Sequence, residues 1–222
     1  MIELQGVAKS YRTRHGVRPI IKPTDLVFYR GANTAVLGLN GAGKSTLLRL
    51  IGGVERPDSG RVLRSVKVSS PLGVTSAFSG HLTAAENLKF VCRIYGLDFE
   101  ETTDFVRDFT ELGAYFDEPI RTYSSGMRAR LMFGLSMAID YEVYLIDEGL
   151  STGDAAFRLK AQEAFARRKS RADLIMTSHS MSTIRDFCNT AVVIDEGAVV
   201  PFQDLDAAEE YYMEILARRQ TQ

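Results

Sequence analysis

A glycine-rich run interrupts the first third of the chain. Gly38 to Ser45 reads Gly-Leu-Asn-Gly-Ala-Gly-Lys-Ser and fits the pattern G-x-x-x-x-G-K-[ST]. Glycines allow a backbone to curl around phosphates with its amide N–H groups pointing inward, and a following helix adds partial positive charge. The Lys44 ammonium suits the β- and γ-phosphates of a nucleotide, and the Ser45 hydroxyl suits Mg²⁺. The alternative is an ordinary glycine-rich turn.

Two adjacent acids follow an apolar run later in the chain. Val143 to Ile146 predicts a buried strand, and Asp147 and Glu148 come directly after it. We expect this strand to lie next to the phosphate-loop strand and to bring Asp147 close to Mg²⁺. Adjacent residues leave a strand end in different directions, so Glu148 is the candidate that orients the attacking water. The alternative is a pair of solvated acids.

A histidine follows the next predicted strand. His179 comes after Leu174–Thr177, one strand beyond the acid pair. This placement indicates a contact with the γ-phosphate and with Glu148, whereas a lone histidine after a strand is otherwise a structural residue.

The elements that must position these residues alternate between strands and helices, which predicts an α/β fold with a central parallel sheet. An antiparallel part precedes the phosphate loop, and a helical lobe of about 81–140 follows it. In that lobe Thr83 and Glu86 have capping-box spacing, and Gly96 ends their helix. The predicted strands are 1–11, 26–29, 33–39, 143–147, 174–177, 191–194 and 198–200, with a polar hairpin loop at 12–16. The predicted helices are 44–51, 83–96, 98–113, one from 125, 155–171, 180–188 and 204–219.

Composition limits the classes of function. Lys plus Arg is 27 and Asp plus Glu is 28, so the charge balance argues against broad nucleic-acid binding. Cys92 and Cys188 lack metal-type spacing and are expected to be reduced core thiols. The first residues do not resemble a signal peptide, and no run approaches the ~20 apolar residues of a membrane span. A membrane role would therefore require a partner.

A second candidate anion site lies before the third helix of the lobe. Ser124-Ser125-Gly126-Met127 places a serine and free amides at a helix start. The run resembles the signature sequence of ABC transporter ATP-binding subunits, with Ser125 where a glycine is usual and Met127 where glutamine is usual. In that family the signature of one subunit closes on the ATP of another, which implies a homodimer with shared sites. The alternative is a simple serine N-cap.

Other residues match the same family in order, over residues 2–215. Tyr11 matches an aromatic that stacks on adenine through its ring, so Tyr11→Phe is expected to be nearly silent. Ser151 to Asp154 resembles a dimer-contacting loop, and His179 matches the switch histidine. Ser79 stands where a glutamine usually contacts Mg²⁺.

The resemblance implies a P-loop NTPase (RecA-like) core with an N-terminal antiparallel β subdomain and a helical ABC-specific lobe, within one nucleotide-binding domain of residues 1–222. The implied catalytic residues are Lys44, Glu148 and His179. The implied metal ligands are Ser45, Asp147 and Ser79. The implied ATP-binding residues are Tyr11, Gly38, Asn40, Gly41, Ala42, Gly43, Lys44, Ser45, Thr46, Ser124, Ser125, Gly126 and Asp154.

Four further runs are similar to ATP-binding subunits of bacterial capsular polysaccharide exporters; these are 56–60, 82–87, 123–128 and 178–181. This similarity implies an ATPase that uses ATP and Mg²⁺ to energise export across the inner membrane. The subunit would lie at the cytoplasmic face, and a separate integral permease, docked around Pro71 to Tyr95, would handle the glycan. The alternatives are the ATPase of another ABC transporter (O-antigen, teichoic acid or importer), a soluble ABC ATPase acting on ribosomes or DNA, and an ATP-sensing module.

Overall fold

The computed structural model describes residues 1–14, 16–71, 78–147, 155–168, 171–178 and 180–220. These residues divide into two units. Unit 1 contains the described residues of 1–71, 141–147 and 171–220. Unit 2 contains those of 78–140 and 155–168.

Three antiparallel strands form the first sheet of unit 1: β1 (Ile2–Thr13), β2 (Gly16–Phe28) and β4 (Ser59–Arg64), in the order β2-β1-β4. β2 is much longer than the predicted strand at 26–29, and β4 was not predicted. Pro19 and Pro23 break the alternating pattern of β2. They are tolerated because β2 lies at the sheet edge, where a missing N–H leaves no neighbouring strand unpaired.

Five strands form the second sheet of unit 1. They are β3 (Thr34–Gly38), β5 (Val143–Asp147), β6 (Asp173–Thr177), β7 (Thr190–Asp195) and β8 (Ala198–Phe202), in the order β5-β6-β3-β7-β8. The pairs among the first four strands are parallel, and β8 pairs antiparallel with β7. The expectation that the acid-bearing strand lies next to the phosphate-loop strand is wrong. β6 separates them because it pairs along its whole length with β5 and at Ile175 and Met176 with β3.

The helices of unit 1 are α1 (Lys44–Ile51), α6 (Met181–Phe187) and α7 (Leu205–Gln220). α1 begins directly after the phosphate loop and ends at Gly52, as the sequence predicts. Its apolar side packs on the second sheet, in a core that includes Leu48, Ile51, Leu145 and Ile175, each at most 1% exposed. The start of α1 is therefore fixed by a buried helix.

Unit 2 is helical. It contains α2 (Ala84–Tyr95), α3 (Phe99–Thr110), α4 (Ser125–Ala138), α5 (Ala155–Arg168) and two short 3₁₀ helices at Gly113–Asp117 and Ile120–Thr122. The capping box of Thr83 and Glu86 is present, and Gly96 ends α2 in a left-handed conformation. Asp98 caps α3 by accepting a hydrogen bond from the Glu101 amide. No helix in the described parts of the chain is both long and apolar enough to cross a bilayer.

Four phenylalanines join α5 to the other helices of unit 2. The ring centroid of Phe133 on α4 lies 5.2 Å from Phe165 and 5.8 Å from Phe157, both on α5, and 5.7 Å from Phe109 on α3. We call these four residues the lobe aromatic cluster. Edge-to-face and offset aromatic pairs of this kind add to the energy of area burial. α5 thus lies outside the range of about 81–140 that the sequence indicates for the lobe.

Candidate functional site

Two glycines of the phosphate loop have positive φ angles and also leave no room for a Cβ atom. Gly38 and Gly43 have φ values of 149° and 114°. A Cβ on Gly43 would lie 2.8 Å from Ile20 Cγ2, and one on Gly38 would lie 2.9 Å from the Ile194 carbonyl oxygen. A side chain at either position would force the loop and the neighbouring residue of β2 or β7 apart, so these two glycines keep the loop close to both strands.

The loop presents positive charge at its open side. Lys44 Nζ donates hydrogen bonds to the carbonyl oxygens of Gly38 and Leu39, at 2.8 Å and 3.2 Å. Gly43, the N-cap of α1, provides no side-chain cap, and the first turn of α1 contains no acid. Ser45 lies in that turn and is half-buried, and Thr46 beside it is buried. An uncapped helix start next to a lysine favours an anion.

Asp147 ends β5 and is held by the neighbouring strand. It pairs in register with Thr177, the last residue of β6, whose Oγ1 donates a 3.1 Å hydrogen bond to Asp147 Oδ1. Thr177 is 1% exposed, and nothing in its local sequence marks it as part of a site. Glu148, His179 and Asp154 lie outside the described residues.

The Ser45 hydroxyl and the Asp147 carboxylate are hard oxygen donors, as Mg²⁺ prefers. Mg²⁺ keeps several waters and binds through one or two carboxylates plus substrate phosphates, so a cage of acids is not required. The described part of the chain contains no group of three or more acids, histidines or cysteines placed to hold a metal. The donor set therefore fits a magnesium ion shared with phosphates.

The Tyr11 hydroxyl, near the end of β1, is anchored to a carboxylate. It lies 2.7 Å from each oxygen of Glu55, in the loop after α1. Two residues of α1 complete the contact, because Arg49 donates to the Tyr11 hydroxyl at 3.4 Å and the Thr46 hydroxyl lies 3.5 Å from it. We call Lys9, Tyr11, Thr46, Arg49 and Glu55 the Glu55 network.

Opposing effects act on the Glu55 carboxyl. Partial burial raises its pKa, but hydrogen bonds from Tyr11, Lys9 and Arg49 outweigh burial and bring the pKa below its usual value. The Arg49 and Lys9 nitrogens lie 3.1 Å and 3.3 Å from its oxygens. Glu55 is therefore a charged acceptor at neutral pH.

Ser124, in unit 2, is the N-cap of α4. Its hydroxyl accepts a 3.2 Å hydrogen bond from the Met127 amide, so the serine N-cap considered above is present. Ser124 and Ser125 are exposed, and Gly126 is half-buried. A depression of about 560 Å³ opens beside them, lined by Glu111, Leu112, Tyr115, Ser124, Gly126, Met127 and Arg130. The cap leaves room for an anion at the helix start.

Ser79 is positioned through its backbone. The buried Asn87 side chain on α2 accepts a 2.8 Å hydrogen bond from the Ser79 amide and donates a 3.1 Å bond to the Ser79 carbonyl. The Ser79 side chain is exposed. Asn87, the last residue of the exporter-like run 82–87, thus fixes where Ser79 is presented.

Comparison with known proteins agrees with this geometry. A protein-family model described as ABC transporter matches residues 21–151. The polysialic acid transport ATP-binding protein KpsT of Escherichia coli is 48% identical over 198 residues, covering 88% of this chain and 90% of that protein. The capsule polysaccharide export ATP-binding protein CtrD of Neisseria meningitidis is 45% identical over 213 residues, covering 96% and 98%.

A solved structure shares the fold. It is a dimeric ATP-binding cassette in a post-hydrolysis state, bound to ADP and Pi. It superposes with a TM-score of 0.75 at 19% identity, covering 90% of this chain and 96% of that one. The two-sheet core and the helical unit are thus those of an ATP-binding cassette.

Proposed function

The chain belongs to the ABC transporter family, and from that premise we propose that it is the ATP-hydrolysing subunit of a capsular polysaccharide exporter. The observation that carries the proposal is its likeness to two such ATP-binding proteins over nearly the whole length of each. The glycan would move through a separate integral permease, with this subunit at the cytoplasmic face of the inner membrane. The shared chemistry of the site, ATP hydrolysis, supplies the energy.

Unit 1 binds the nucleotide in this proposal. Backbone amides of 38–46 and the Lys44 ammonium hold the phosphates, and the Tyr11 ring stacks on adenine. The support is the uncapped start of α1 and the placement of the lysine at the loop. Asp154, which lies outside the described residues, is a further candidate contact of the nucleotide.

Hydrolysis then depends on positioning and charge. Ser45 and Asp147 would hold Mg²⁺, and the Ser79 hydroxyl remains a further candidate ligand. When bound, the ion would supply positive charge that offsets the negative charge developing on the phosphates. Glu148 orients the attacking water, and His179 holds the γ-phosphate end of the site.

The active form is a homodimer in which each nucleotide touches both copies. Ser124, Ser125 and Gly126 of one copy complete the site formed by the phosphate loop of the other. Support comes from the exposed helix start and the depression beside it. Together they offer a candidate anion site in addition to the phosphate loop, and a single nucleotide does not require two. The related cassette in the solved structure is also dimeric.

The permease docks on unit 2, along the exposed apolar face of α2. Phe90 and Ile94 lie one turn apart there and are 57% and 61% exposed. Leu72, Val74 and Thr75, in the earlier part of the predicted docking stretch, lie outside the described residues. Phe78 is half-buried and lines a small cavity with Ile120, Leu131 and Met132, so it remains a candidate contact at the edge of this face.

Export is the decisive test. The gene is removed from the source organism and returned either as wild type or as Lys44→Ala, and surface and cytoplasmic polysaccharide are measured separately. We expect the wild type to restore surface glycan and Lys44→Ala to leave it inside the cell. Normal surface glycan in the strain without the gene would exclude the proposed function.

The docking face is tested by charge. Phe90→Glu and Ile94→Glu should remain folded and bind ATP, yet lose retention on membranes and export. Leu159→Glu is the matched control, because Leu159 on α5 is 62% exposed but is not on α2. Equal retention of all three variants would place the permease elsewhere.

A further inference from the structure

The Glu55 carboxylate links Tyr11, the proposed adenine contact, to α1, the helix that begins at the phosphate loop. Glu55 follows α1, the helix that begins at the phosphate loop, and its two oxygens each lie 2.7 Å from the Tyr11 hydroxyl. A tyrosine that donates to a carboxylate between its two oxygens has the far end of its ring held in place. A swing of the side chain about χ1 would carry the hydroxyl away from Glu55 and break a charge-assisted hydrogen bond.

The strand that carries Tyr11 needs such an anchor. Register shifts lie between Val7 and Lys9 and between Lys9 and Ser10 in the pairing of β1 with β2. Irregularities of this kind bend a strand and redirect its side chains. These shifts end at Ser10, and Tyr11 itself pairs in register with Arg18. The ladder therefore fixes the backbone of Tyr11 but leaves its side-chain rotamer to be set by other contacts.

The loop that follows α1 holds the same part of β1 from the other side. Asp58 accepts a 2.7 Å hydrogen bond from the Ser10 amide and donates one of 2.9 Å from its own amide to the Ala8 carbonyl. Lys9 Nζ bonds the Arg56 carbonyl at 2.9 Å and lies 5.6 Å from the centroid of the Tyr11 ring. The backbone is thus clamped by Asp58 and Lys9, and the side chain of Tyr11 by Glu55.

Glu55 also has cationic partners, so it does not depend on Tyr11 for its charge. Its side chain is 20% exposed, and it is paired with Lys9 and Arg49. Arg49 in turn donates to the Thr46 hydroxyl at 3.2 Å, in the first turn of α1. The network connects the aromatic ring to the helix start that faces the phosphates.

We propose that Glu55 is a positioning residue for nucleotide recognition: it holds the Tyr11 ring in the orientation that stacks on adenine. This inference rests on the proposed ATP binding and goes beyond it by assigning a role to the Tyr11 hydroxyl. It replaces the sequence-based expectation that only the ring matters. Glu55 contacts the tyrosine and not the nucleotide.

The test compares a ligand that has a base with one that lacks it. Binding of ATP and of inorganic tripolyphosphate is measured by calorimetry for the wild type, Tyr11→Phe, Glu55→Gln and Glu55→Ala. We expect Tyr11→Phe and Glu55→Ala each to weaken ATP binding roughly three- to tenfold, the range for losing one hydrogen bond of ordinary net strength. Tripolyphosphate binding should change less than about twofold. Glu55→Gln keeps an acceptor for the hydroxyl and should fall between the wild type and Glu55→Ala.

The double variant Tyr11→Phe/Glu55→Ala should be no weaker than either single variant, because both remove the same contact. Glu142→Ala is the matched control. Glu142 is also an ion-paired carboxylate of unit 1, with Arg30 at 2.6 Å, but it is not part of the Glu55 network. It should bind both ligands like the wild type.

Three results would overturn the inference. Wild-type affinity for ATP in Tyr11→Phe or in Glu55→Ala would show that the hydroxyl contact is not used. If the affinities for ATP and for tripolyphosphate fall equally, Glu55 stabilises the start of α1 and has no separate role at the adenine ring. If the wild-type chain binds tripolyphosphate as tightly as ATP, the protein has no adenine site, and the proposed ATP recognition is wrong as well. A failure of glycan export would contradict the proposed transport function but would not affect this binding comparison.

Discussion

Thr177 Oγ1 donates a 3.1 Å hydrogen bond to Asp147 Oδ1 across the carboxyl ends of two neighbouring strands, β6 and β5. Thr177 is buried, so its hydroxyl has little freedom to leave this contact. It directs one oxygen of Asp147 and leaves the other to the proposed metal.

This pair predicts a metal-specific defect in Thr177→Val. Partners behind metal ligands typically contribute ten- to a hundredfold to metal affinity or activity, so we expect about a tenfold weaker apparent Mg²⁺ affinity in steady-state ATPase assays. Thr177→Ser keeps the hydroxyl and should resemble the wild type. ATP binding without Mg²⁺ should be normal in both variants. If the Mg²⁺ dependence of Thr177→Val is unchanged, Thr177 does not position a metal ligand, and the assignment of Asp147 to Mg²⁺ loses its support.

The lysine and the second acid should act at different steps. Lys44→Ala removes charge from the phosphate loop and should weaken ATP binding and turnover together. Glu148→Gln should bind ATP normally but lose roughly a hundredfold or more in rate, and should accumulate an ATP-bound dimer. Binding and single-turnover assays distinguish the two. A near-normal rate in Glu148→Gln would mean that another group orients the water.

Shared sites predict rescue between two inactive variants. Ser124→Arg blocks the helix start of α4, and Lys44→Ala disables the phosphate loop. In a mixed dimer one site contains both defects and the other contains neither. Random mixing gives half mixed dimers with one good site each, so about a quarter of wild-type ATPase activity should return. If no activity returns although mixed dimers form, each copy hydrolyses ATP with its own residues only.

Tyr123 predicts a loss of stability at high pH. It precedes Ser124, is 3% exposed, and donates a 2.6 Å hydrogen bond to the Tyr115 carbonyl. Burial, with the Asp117 charge, raises its pKa from 10.0 to about 12. The folded state therefore keeps a proton that the unfolded state releases, so this stabilisation is complete below pH 10 and is lost as pH rises toward 12.

Urea unfolding at several pH values measures that effect. Tyr123→Phe should lower the stability at pH 8 by about 1 kcal/mol through the lost hydrogen bond. The difference between the wild type and Tyr123→Phe should shrink above pH 10. A constant difference across this range would show that Tyr123 does not titrate on unfolding. Comparison with the variant removes the contribution of the other tyrosines.

The sequence predicts those parts of the site that are continuous in the chain. The phosphate loop, the acid that ends β5 and the serine before α4 can each be recognised from a few consecutive residues. Thr177 with Asp147 and Tyr11 with Glu55 do not, because their partners are 30 and 44 positions apart. Only the strand register and the return of the chain after α1 bring them together.

The same distinction explains the errors in the fold. The length of β2 was underestimated because Pro19 and Pro23 are acceptable only at a sheet edge, and edge position is a property of the assembled sheet. The order of β5 and β6 likewise depends on pairing and not on local pattern. Helix ends such as Thr83 and Gly96 were predicted well because capping is local.

The lobe aromatic cluster has a consequence for synthesis. Phe109 and Phe133 are synthesised before β5, whereas Phe157 and Phe165 are synthesised after it. The helical unit therefore cannot close its aromatic core until the strand that ends at Asp147 has emerged. Deleting or transplanting residues 81–140 as one continuous piece would strip α5 of its ring partners, so the lobe is not a removable module.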